Sequence, residues 1–236
     1  ELAISVVGPG HSVEVGPDGR VWLSSEVDGP GLFRLGDESA FGIPDDPTEL
    51  GSPIQVAPDG SLWVIVGFPD DRTGIFSFDG QAWTERATKT DYTFGFDELA
   101  IGPDGTVWVT TTDERKYCPD IEGRECPGTF LMRLEDDGSL TTIEDWAGVY
   151  DGDAHPYTLV LGPDGDVWLR GHGSSEVLLR FDGSRWETLP LPEGVNPSTF
   201  LPFGVAPDGT PWVQVRGRAA GHSGARGVAR FDDPGW

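Results

Sequence analysis

One heptad recurs five times along the chain and limits its fold more than any other feature. Pro17-Asp18-Gly19-Arg20-Val21-Trp22-Leu23 returns as Pro58 to Val64, Pro103 to Val109, Pro163 to Leu169 and Pro207 to Val213. The copies are spaced by 41, 45, 60 and 44 residues. That period suits a four-stranded blade of a β-propeller and is too long for a single hairpin or a solenoid rung.

Each copy reads as a hairpin with an inner and a second strand. Four and two residues before the Pro stand apolar pairs: Val13/Val15, Ile54/Val56, Leu99/Ile101, Leu159/Leu161 and Phe203/Val205. This alternation predicts a strand with one buried face. Pro-Asp-Gly then supplies a fixed φ, a self-capping side chain and a permissive backbone for a tight turn, and the Trp segment starts the returning strand. A third strand follows in Leu32 to Leu35, Ile75 to Phe78, Leu131 to Leu134, Leu178 to Phe181 and Val228 to Phe231, ending in a second turn. Trp83 and Trp186, each five residues beyond the Phe of that turn, open an outer fourth strand. The Trp at the repeated position, residues 22, 63, 108, 168 and 212, is expected to pack between neighbouring blades.

With 34 Gly and 20 Pro in 236 residues, a large helical protein is excluded. The expected fold is all-β: a single five-bladed β-propeller of four antiparallel strands per blade over residues 1–236. The blades are placed at about residues 11–47, 51–90, 97–147, 156–192 and 201–236. Trp236 stands in the phase of Trp83 and Trp186. Residues 1–7 are therefore expected to complete the last blade as its outer strand, which would remove an open sheet edge.

The PDGxVWV hairpin followed by a GLxRFDGxxW segment resembles the repeats of two-component-regulator propellers and is similar to NHL and virginiamycin B lyase-like repeats. The resemblance implies a propeller and a range of roles, from extracellular sensor and scaffold to enzyme. In the lyase-type repeat a carboxylate stands three residues after the Trp. The matching positions here are Ser25, Val66, Thr111, Gly171 and Val215, none of them acidic.

The Pro-Asp-Gly rim is nearly constant among the copies, whereas the opposite rim varies throughout, and varied loops on a fixed scaffold are where binding concentrates. The ligand-binding candidates on that rim are His11, Ser52, Asp97, Glu98, Asp153, His155, Tyr157, Arg170 and His172. His beside carboxylates suits a divalent cation or acid-base chemistry, so a cation is a possible cofactor, while no HExxH or EF-hand pattern specifies a metal. Nor is any catalytic residue assigned. Tyr157 among carboxylates suits a stacked ring with polar partners.

Cys118 and Cys126 flank an inserted loop and are expected to form a disulfide, which places the protein in an extracellular, periplasmic or cell-surface setting. Sixteen Lys and Arg against 40 Asp and Glu give a net charge of -24, which disfavours nucleic acid and anionic membrane as partners. The expectation is an extracytoplasmic propeller that binds a small molecule, sugar or protein at the variable rim. The alternative is a small lyase or glycoside hydrolase using a cation or a carboxylate pair on the same rim.

Overall fold

The computed structural model describes residues 12–25, 31–36, 41–51, 54–90, 94–113, 128–143, 158–171, 177–190, 203–219 and 222–230. All regular structure among them is strand, and no described helix is long and apolar enough to cross a membrane. The chain divides into two compact units, Glu1–Arg115 with Phe130–Thr142, and Lys116–Thr129 with Ile143–Trp236.

In the first unit, sheet 1 runs β1 (Val13–Val15), β2 (Val21–Ser25), β3 (Gly31–Arg34) and β4 (Phe41–Gly42) in chain order. Sheet 2 has five strands: β5 (Glu49–Leu50) and β6 (Gln55–Val56) both pair with β7 (Leu62–Gly67), followed by β8 (Thr73–Phe78) and β9 (Trp83–Lys89). Sheet 3 is β10 (Phe94–Ile101), β11 (Val107–Asp113), β12 (Gly128–Leu134) and β13 (Leu140–Thr142). The second unit holds sheet 4, with β14 (Thr158–Leu161), β15 (Val167–Gly171), β16 (Val177–Phe181) and β17 (Trp186–Pro190). It also holds sheet 5, with β18 (Phe203–Val205), β19 (Pro211–Ala219) and β20 (His222–Arg230). Every described pairing is antiparallel, and the inner strands are joined to the strands after them by the tight turns that the heptad encodes.

The five Pro-Asp-Gly turns share one backbone solution. The small residue before the Pro donates its amide to the carbonyl of the residue after the Gly, and the Gly amide donates back to the small residue's carbonyl. These ten bonds all measure 2.8 to 3.0 Å. The turn glycines, Gly19, Gly60, Gly105, Gly165 and Gly209, take φ of 78° to 90°, which a side chain would strain. In each turn the Asp carboxylate accepts the amide of the residue two positions on, from Asp18 to Arg20 at 2.9 Å through Asp208 to Thr210 at 3.0 Å.

Packing between sheets uses opposite faces. Trp22 and Leu32 of sheet 1 share a buried cluster with Ile54, Leu62, Val64 and Phe78 of sheet 2. Trp63 of sheet 2 packs on a cluster holding Leu99, Val107 and Val109 of sheet 3. In the second unit Trp168 of sheet 4 meets Val213, with Val205 alongside. Within each unit, Trp22, Trp63 and Trp168 thus cover the apolar face of the next sheet.

Two places depart from the expected pattern. Val13 and Val15 are each 61% exposed, so the face predicted to be buried is open in the first copy. Sheet 1 is the first sheet of its unit, and no earlier described sheet of that unit lays a Trp over it. Trp212 is 36% and Val228 66% exposed in sheet 5, the last described sheet. The closing strand predicted at residues 1–7 lies outside the described residues.

Candidate functional site

Each inner strand runs into its Pro-Asp-Gly turn and the next strand runs away from it, so every sheet has a turn end and a far end. The turn ends are alike because their carboxylates are spent on structure. Hydroxyl donors two residues on hold Asp59, Asp137, Asp182 and Asp208 below the ordinary aspartate range, with backbone amides adding to the effect. For Asp79 and Asp104 the backbone amides of Ala82 and Thr106 are the larger cause. Several of the repeated tryptophans carry an Arg over the indole: Arg34 on Trp22, Arg86 on Trp63, Arg180 on Trp168 and Arg230 on Trp212, 5.2 to 6.0 Å from the ring centroid. Three of these stand directly across the strand pair from their Trp. In sheet 2 that position is Ser77, and Arg86 reaches in from β9, donating its Nε to Ser77 Oγ at 2.8 Å.

A cleft of about 550 Å³ opens at the turn ends of sheets 2 and 3, among Trp63, Glu85, Arg86, Asp104, Arg133 and Asp136. Its wall is tight: Gly138, at φ 83°, lies so close to β9 that a Cβ there would stand 2.6 Å from the Arg86 carbonyl oxygen. Arg133 is paired with Glu135 at 2.9 Å across the same surface.

The far ends differ from sheet to sheet. In sheet 3 the ladder between β10 and β11 slips between Phe96 and Glu98, leaving Asp97 as the extra residue of a β-bulge. Such a bulge re-aims side chains and terminates pairing. It is held by two buried threonines: the Glu98 amide donates to Thr110 Oγ1 at 3.1 Å, and Thr111 Oγ1 donates to the Gly95 carbonyl at 2.6 Å. The Lys89 ammonium donates to Thr111 Oγ1 at 3.0 Å and stands 5.0 Å from the Phe96 ring centroid. Asp97 and Glu98 are both half-buried.

Sheet 2 carries the strained backbone. Asp45, Asp46 and Asp71, at φ 65°, 50° and 61°, are the described non-glycine residues in the left-handed region, and all three lie in loops at its far end. Conformations of this kind cost on the order of 1–3 kcal/mol each and gather at binding sites and switches. The Asp71 turn is closed by Phe68 and Arg72, whose guanidinium lies 3.9 Å over the Phe68 ring. Nearby, Gly67 leaves the space that the Glu49 carboxylate fills, 2.8 Å from where a Cβ would be.

Of the residues singled out from sequence, Asp97 and Glu98 fall side by side at the far end of sheet 3, on the bulge. Arg170 lies at the far end of β15, opposite Thr158 and Leu178. His11, Ser52, Asp153, His155, Tyr157 and His172 lie outside the described residues, as do Cys118 and Cys126. Among the described residues, no three His, Cys, Asp or Glu side chains converge as a metal site. Lys89 and Thr110 were not singled out from the sequence, and Thr111 was noted only as a non-acidic position of the lyase-type repeat. Their signal was faint: a Thr pair two and three residues after the third Trp, where the other copies carry Ser-Ser, Ile-Val, Arg-Gly and Gln-Val.

No protein-family model matches the chain, and no characterised protein matches it significantly in sequence. Solved structures do match in fold. An oligogalacturonate lyase from Vibrio parahaemolyticus superposes with a TM-score of 0.64 at 12% identity, over 95% of this chain and 69% of the lyase. A puromycin hydrolase mutant gives 0.60 at 14% identity, over 97% of this chain but 37% of the hydrolase. TolB from Acinetobacter baumannii gives 0.51 at 16% identity, over 94% of this chain and 50% of TolB. Such likenesses define a class of fold, the β-propeller, to which these antiparallel sheets conform.

Proposed function

We propose that the chain is a five-bladed propeller in an extracytoplasmic setting that binds a small molecule, sugar or partner protein through the rim opposite its Pro-Asp-Gly turns. One contrast carries this reading. At the turn ends, carboxylates, glycines and arginines repeat and bond to their own sheet. At the far ends of sheets 2 and 3, the inner-strand bulge at Asp97, the left-handed aspartates of two loops and the Lys89–Thr111 contact have no counterpart at the same positions of the other described sheets. A repeated device serves the scaffold, and an unrepeated one, costly in strain, serves recognition. Five blades follow from the five heptads, and the extracytoplasmic setting from the expected Cys118–Cys126 pair.

The test is a thermal melt read by tryptophan fluorescence, with calcium, magnesium, zinc, EDTA, a panel of sugars and cell-wall fragments. A ligand at a hundred times its dissociation constant should raise the midpoint by roughly 5–10 °C for a chain of this size. Asp97→Asn should abolish that rise. A rise that persists in Asp97→Asn and Glu98→Gln would remove this rim from the reading.

A further inference from the structure

We draw no further inference here: the strongest candidate, the cleft at the turn ends of sheets 2 and 3 lined by Glu85, Asp104, Glu135, Asp136 and Asp137, is a cluster of carboxylates largely held by the turns and ion pair of their own sheet, and no second observation in the structure points to a ligand in it.

Discussion

At the scale of single residues, the repeated positions can be ranked by what each covers. Trp168 is 4% exposed against Val213 and Leu178, whereas Trp212 is 36% exposed. Trp168→Ala should therefore cost on the order of 3–5 kcal/mol in a urea or thermal melt, and Trp212→Ala markedly less. Equal losses would show that the indole stabilises through something other than packing on the next sheet. Glu14 makes a second residue-scale case. Burial raises its carboxyl above the usual glutamate range, so the folded chain prefers the protonated form. The sign follows: relative stability is greatest below about pH 4.5, the ordinary value, and is lost as pH rises through the higher folded value. Glu14→Gln should raise the melting midpoint at neutral pH and leave it nearly unchanged at pH 4. An equal gain at both would assign the effect to packing. The tryptophans were legible in the sequence because identity in five copies marks a shared structural role. Their Arg partners were not, although Arg34, Arg180 and Arg230 recur in the same strand, because the sequence does not show which residues face each other across a ladder.

At the scale of elements, turns and strands respond to different tests. Hydrogen bonds in the turns hold the carboxyls of Asp59, Asp104 and Asp137 below the ordinary aspartate value of 3.8, so their contribution is present above that value and is lost as pH falls through the lower folded values. In Glu14→Gln, which removes the opposite trend, melting midpoints should stay flat from neutral pH down to about 4 and drop below it. Asp104→Asn, which can still cap the turn without a charge, should lessen that drop. A midpoint that falls steeply already between pH 6 and 5 would point to other groups. At the far end of sheet 3, Thr111→Val removes a fully buried hydroxyl that joins Gly95 and Lys89. This should cost about 1–3 kcal/mol and loosen amide-exchange protection at Glu98 before it affects the turn at Asp104. Element order was readable from the heptad and its turn chemistry, which act locally. The bulge at Asp97 was not, since an extra residue in a ladder depends on the partner strand. Nor was the exposure of Val13 and Val15: alternation marks a face that can be buried and does not itself supply the cover.

At the scale of the whole molecule, part of the strong acidity now has a structural account. Eight aspartates, Asp18, Asp59, Asp79, Asp104, Asp137, Asp164, Asp182 and Asp208, each accept a backbone amide in a turn. These carboxylates brace the connections, and Asp18, Asp164, Asp182 and Asp208 also stand within 4 Å of an arginine. The acidic residues at the far ends, Asp45, Asp46, Asp71, Asp97 and Glu98, stand instead on left-handed loop positions and on the bulge, and the proposal assigns recognition to that rim. The measurement that tests it most directly is the ligand-induced rise in melting midpoint, compared between Asp104→Asn and Asp97→Asn with the strongest stabiliser from the panel. Asp104→Asn is expected to lower the starting midpoint at neutral pH yet keep the full ligand-induced rise, while Asp97→Asn starts close to the unaltered chain and loses that rise. If instead Asp104→Asn abolishes the rise and Asp97→Asn retains it, binding belongs to the turn rim and the proposed division of labour is wrong.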